Sequence, residues 1–273
     1  MLTTQLVGLL GAIVLLVVIG EPLAATTSLL YAAGASLIGV VGLGLFYYAL
    51  SRGTMGVVAP LAALLGAGLP VLLAIYGGEH VSTARLIGIV AALAAVVFIS
   101  LPGGEKTDAE QRRRRIDVGE LPLVILSGLC FAGFFILIDH ATTNGETWWP
   151  MVVVRSIGST LVLAAALILV LRGSGATLRE RAVIALGLRR LRGREFGGFG
   201  ILSVFVVTGA GDLGGNVFFV LAKHVDAFSV AVVLSSLYPV VTALLAALVL
   251  RERLRPLQVF GVALATLSVP LLR

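Results

Sequence analysis

The amino-acid sequence predicts an all-α integral membrane protein with an internal inverted repeat, and three observations predict it. Of 273 residues, 59% are apolar and 12% charged, with a mean hydropathy of +1.08. A soluble domain carries roughly 25% charged residues, so this composition would leave a sticky surface in water. The chain divides into nine apolar runs, each long enough to cross a bilayer as a helix, for which ~20 residues suffice. Part of the chain also matches itself without a gap at a shift that reverses direction. Continuous apolarity is not the alternation of barrel strands, and in lipid only helices or closed barrels satisfy their backbone groups.

The first run, 4–20, has no Lys or Arg ahead of it, unlike a cleavable signal, and reads as a retained span. Run 28–50 closes at Arg52, and run 54–77 contains Pro60 and Pro70. Run 82–101 opens beyond Glu79 and stops at Pro102, where a charged linker, 102–119, begins. Run 120–138 holds the single cysteine, Cys130, which excludes an internal disulfide. Run 149–171 opens in the interfacial belt Trp148-Trp149-Pro150. Run 198–222 carries Asp212, run 226–250 contains Pro239, and run 255–272 completes the set. Glycines such as Gly34, Gly39, Gly42 and Gly44, and Gly209, Gly211, Gly214 and Gly215, offer small faces for close helix packing.

Charge sets the orientation. Arg52, Lys106, Arg112 to Arg115, the arginines from Arg172 to Arg194 and Arg251, Arg253 and Arg255 fall on one side, against Arg85, Lys223 and Arg273 on the other. The positive-inside rule puts the arginine-rich loops in the cytoplasm and the C-terminus outside. The net charge of +6 therefore belongs to membrane topology, not to a nucleic-acid surface. The loop Gly175 to Glu195 reads either as an amphipathic helix on the inner leaflet or as a solvated loop.

The self-match lays Val57 to Val96 on Val230 to Val269 at a shift of 173 residues. Glu79 meets Glu252 and Gly88 meets Gly261, polar and small landmarks that count for more than the shared leucines. The shift spans five crossings, an odd number, so equivalent helices run in opposite directions, as in many secondary transporters.

Ala49 to Pro60 (ALSRGTMGVVAP), Gly77-Gly78-Glu79, Ser235-Ser236-Leu237-Tyr238-Pro239, Leu250 to Arg253 and Gly261 resemble the paired EamA-type domains of the drug/metabolite transporter superfamily. The resemblance implies inverted five-helix repeats around a central cavity, with export or exchange of a small organic metabolite such as an amino acid, drug or sugar. It divides the chain into a first repeat (1–101) lacking its first helix, the linker (102–119) and a second repeat (120–273). Nine helices are visible where the family has ten. The expectation is a start upstream of Met1, because the family's first helix helps line the cavity.

An ionisable side chain within a span costs at least ~2.5 kcal/mol, so each one suggests a partner or a role. Asp212 lies deep in its run with Asn216 one turn later, suiting it to bind a proton or a cationic group while Asn216 hydrogen-bonds solute. Ser235, Ser236 and Tyr238, just before Pro239, either line the cavity or pack between helices. Arg155, some six residues into its run, can either reach toward the depth of Asp212 or snorkel to the interface, and snorkelling is the expectation. Only a pairing of Asp139 with Arg155 would make a gate of them. Glu79 and Glu252 read as boundary markers. No phosphate-binding loop, metal-ligand spacing or nucleophile triad is present, so no cofactor, metal, nucleic-acid partner or enzymatic activity is expected. The expected partners are a solute, lipid, and a proton or counter-substrate; the location is the inner, or plasma, membrane. The rival reading is a membrane-embedded scaffold or enzyme without transport activity.

Overall fold

The structure, a computed structural model, describes residues 2–52, 55–100, 121–172, 198–225, 227–249 and 255–272. The linker 102–119, the loop Gly175 to Glu195, the arginine clusters within them and Glu252 lie outside the described residues. Nearly all of the described residues are helical, and no strand occurs among them. The helices are α1 (Leu2–Ile19), α2 (Thr26–Arg52), α3 (Met55–Tyr76), α4 (Thr83–Ser100), α5 (Leu121–Ala141), α6 (Trp148–Arg172), α7 (Gly198–Val225), α8 (Phe228–Ser236), α9 (Tyr238–Val249) and α10 (Pro256–Leu271). Among the described residues six stretches, of 18 to 26 residues, are long and apolar enough to cross a membrane. One of these, Phe228–Leu245, runs through the junction of α8 and α9; Thr4–Ile19 and Pro256–Leu271 are shorter apolar helices.

The prolines act differently. Pro60 and Pro70 are buried inside an unbroken α3. At Pro239 the missing N–H cannot serve the Ser235 carbonyl, and the chain turns at Leu237, whose N–H bonds to the Leu234 carbonyl at 3.2 Å.

The helices form two compact units, each drawing on both expected repeats: residues 1–40 with 140–221, and residues 41–139 with 222–273. In the first unit α1 packs along α6. Close approach of α1 to α7 depends on glycine: a Cβ on Gly209 would lie 2.6 Å from the Val7 Cβ, and one on Gly11 would lie 2.9 Å from Leu213. The Ser36 hydroxyl donates to the Val154 carbonyl at 2.8 Å and ties α2 to α6. Two connectors exchange carboxylates. Glu21, which follows Gly20 (φ 68°) at the end of α1, accepts the N–H groups of Thr147, Trp148 and Trp149 at 3.0–3.1 Å, so it caps α6. Glu146 in turn accepts the Ala25 N–H at 2.9 Å and the Ser28 hydroxyl at 2.6 Å, capping α2.

In the second unit α4 packs along α10, and α3 packs against α4 and α8. A cluster of Ala49, Val58, Ala62 and Val124 joins α2, α3 and α5. The contact of α4 with α10 is reciprocal. A Cβ on Gly88 would meet Leu271 Cβ at 3.0 Å and the Leu272 side chain at 3.2 Å, and one on Gly261 would meet Ile99 Cγ1 at 2.7 Å. Gly88 and Gly261, and Ile99 and Leu272, are partners at the same shift of 173 residues. The start of each helix thus touches the end of the other, so the two run antiparallel. α8 has Ala227 at its N-cap, with no side-chain acceptor of its own. Glu79 fills that place, accepting both the hydroxyl and the N–H of Ser229.

Candidate functional site

The site forms within the first unit, where α1, α6 and α7 each supply a polar group. Arg155 lies seven residues after Trp148, about 10 Å along α6 at 1.5 Å per residue. It does not snorkel, for its side chain is only 3% exposed. The guanidinium reaches α7 instead. Nη1 donates to Asp212 Oδ2, Nη2 donates to the Asp212 backbone carbonyl at 2.9 Å, and Nη1 also donates to Gln5 Oε1 on α1 at 2.9 Å. The reason is desolvation. A buried guanidinium must find a counter-charge and acceptors, and Asp212 offers a carboxylate and a carbonyl from one residue.

Two details mark the pair as more than a packing lock. The Nε–H of Arg155 is buried and has no acceptor among the described residues. It faces Gly8, where an added Cβ would lie 3.4 Å away, so the glycine leaves space against the guanidinium. Asp212, in contrast, is 51% exposed. Around it on α7, a Cβ added at Gly211 or Gly215 would meet nothing within 4 Å. A half-exposed carboxylate against lipid would cost ~2.5 to 3.5 kcal/mol, so its open side is more stable facing water.

Other expected site residues have different surroundings. Asn216 is half-buried one turn after Asp212. Ser236 is buried, and its hydroxyl donates to the Val233 carbonyl of its own helix at 2.7 Å, which spends its donor on α8. Ser235 is half-buried, while Tyr238 is exposed at the start of α9, with Tyr47 of α2 its electrostatic neighbour. The expected gate partners are engaged elsewhere. Lys223 Nζ meets Asp139 Oδ1 at 2.5 Å and the Asp139 carbonyl at 2.6 Å, near the end of α5, where a cation complements the helix dipole. Sequence reasoning also missed Gln5 and Gly8, which carry no signal of their own. The glycine faces divide as well: Gly42 packs on Cys130, with an added Cβ 2.6 Å from its Cβ, whereas Gly44 faces open space. No group of three His, Cys, Asp or Glu able to hold a metal occurs among the described residues.

The apolar helices make this a helical multi-pass membrane protein, and its family places it in the broad class of membrane transporters of small solutes. The family is defined by the second half: residues 119–273 match the model of the EamA-like transporter family, and the chain belongs to that family. No curated protein matches the chain. A solved structure described only as "Crystal structure of protein" is similar over 99% of this chain and 85% of its own, with 18% identity and a TM-score of 0.55, a likeness of fold alone.

Proposed function

We propose that the chain is a secondary transporter of the inner membrane that exports or exchanges a small organic metabolite by alternating access, with two inverted halves rocking around a central cavity. The observation that carries this reading is the reciprocal contact of Gly88 with Leu272 and of Gly261 with Ile99. It is what a two-fold axis in the membrane plane requires of repeat-related, antiparallel helices, and such repeats alternate access by exchanging conformations. The arginine-rich loops face the cytoplasm in this reading.

Asp212 couples the cycle to a proton or a counter-substrate, with Arg155 as its resting counter-charge. Asn216, Ser235, Ser236 and Tyr238 contribute polar contacts to solute, and Asp139 acts at the outer end through Lys223. The test is uphill solute movement in sealed vesicles under an imposed proton gradient. Asp212→Asn should abolish accumulation while leaving slow downhill exchange. Wild-type accumulation by the variant, with an unchanged pH profile, would remove Asp212 from the coupling.

A further inference from the structure

We propose that Arg155 is a binding site for the carboxylate group of the transported solute, and that Asp212 is its internal stand-in. This deepens the transport reading and depends on it only for the word "transported". The guanidinium is a planar fork of five N–H donors, and carboxylates bind it most strongly through two parallel donors at once. Asp212 does not use that mode: it offers one carboxylate oxygen to Nη1 and its backbone carbonyl to Nη2. The edge that includes Nε is left without an acceptor at that atom, in a side chain 3% exposed. A buried donor with no acceptor is costly, so an anionic oxygen arriving there gains a hydrogen bond that the resting protein lacks.

Exchange is favoured by the asymmetry of the pair. Arg155 has no route to water of its own, whereas Asp212 is half-exposed beside the open ground at Gly211 and Gly215. An incoming carboxylate approaches from the open side of Asp212 and takes the Nε edge while Asp212 still holds the other. Asp212 then swings to its exposed side and hydrates. The guanidinium is never left bare, and its charge stays balanced by one carboxylate before and after. Gly8 matters for the same reason: it is where α1 leaves space against Nε, and a methyl there would narrow the approach.

Formate is the smallest probe of this site. In the purified full-length chain, Asp212→Ala removes the stand-in, and sodium formate should restore thermal stability with half-saturation at a concentration at least tenfold lower than in the wild type. At ten times its half-saturating concentration, the folded-to-unfolded ratio should rise about 11-fold. Equal ionic strength of sodium chloride, or equimolar formamide, should not reproduce the effect, and Arg155→Gln in the Asp212→Ala background should remove it. Equal rescue by chloride or formamide, persistence without Arg155, or equal half-saturation in wild type and Asp212→Ala would each overturn the proposal. Where Asp212→Ala does not fold, Gly8→Ala in the otherwise wild-type chain decides. Its formate half-saturation should rise at least tenfold, and no rise, or no response of the wild type, refutes the site. A chain that binds formate as described but moves no solute in vesicles keeps the site and loses the transport reading. A chain that transports while formate is without effect loses only the site.

Discussion

Breaking the Arg155–Asp212 pair from its two ends should cost different amounts. In Asp212→Asn the guanidinium stays 3% exposed and loses its counter-charge, keeping as acceptors an amide oxygen, the residue-212 backbone carbonyl and Gln5 Oε1. Removing one partner of a buried pair costs about 3–5 kcal/mol, and the retained oxygen points to the lower end. In Arg155→Met the carboxylate left behind is already 51% exposed and can hydrate, so about 1–2 kcal/mol is expected after discounting for solvent. Replacing both should be close to neutral relative to the milder single change, because neither an unpaired cation nor an unpaired anion remains. The coupling in the double-mutant cycle is then about 3 kcal/mol. At about 2–4 °C per kcal/mol, Asp212→Asn should melt roughly 6–12 °C below wild type and Arg155→Met about 2–8 °C below, measured by thermal unfolding in detergent. Additive single and double variants, within about 0.5 kcal/mol, would show that the two residues do not depend on each other and would refute the reasoning.

Glu21→Ala leaves three N–H groups at the start of α6 without their acceptor and should cost about 2 kcal/mol, read from the fluorescence of Trp148 and Trp149, the chain's two tryptophans. Glu21→Gln, which keeps an oxygen, should recover about half, and an unchanged melting temperature in both would dismiss the cap. Glu79→Ala should destabilise by about 1–2 kcal/mol, and Ser229→Ala by less, because only the former leaves the α8 N-terminus unanswered; the reverse order in denaturation would contradict it. Gly261→Ala forces a methyl to 3.1 Å from the Ala95 carbonyl and 2.7 Å from Ile99, and should cost about 1–3 kcal/mol. Gly44→Ala, with open space beyond it, should be neutral or slightly stabilising in the same assay.

Helix positions were legible because their ends are written in charge, Gly and Pro. The run expected at 82–101 forms Thr83–Ser100, and the run at 255–272 forms Pro256–Leu271, starting on its proline. Asp212 could be singled out because a carboxylate within an apolar run stands alone. Its partner was one of the alternatives left open for Arg155. Whether Arg155 snorkels, meets Asp139 or meets Asp212 depends on which helices are neighbours, and apolar runs of similar composition do not specify that. The caps were hidden for the same reason. Glu21 serves residues 126 to 128 positions away, and Glu79 serves one 150 away. The available signal was negative: α8 starts after Ala227 with no capping side chain, while glutamates stand spare in the connectors.

The carboxylates can be assigned one by one, and the assignment narrows the chemistry. Among the described residues the acidic groups are Glu21, Glu79, Asp139, Glu146 and Asp212. Glu21, Glu79 and Glu146 each answer the N-terminus of a helix, where a negative charge meets the dipole and orphan N–H groups. Asp139 holds Lys223 at the end of α5, a contact of the same structural kind. Asp212 alone of the five serves no helix end. It lies midway along α7, its partner is buried while it is exposed, and it neutralises a donor that still has an unused N–H. A group placed for stability would be better buried with its partner, satisfying every donor. One placed to give way to a competing anion would be half-open, singly bonded through its carboxylate, and bordered by residues without side chains. The second description is the one that Asp212, Gly211 and Gly215 fit.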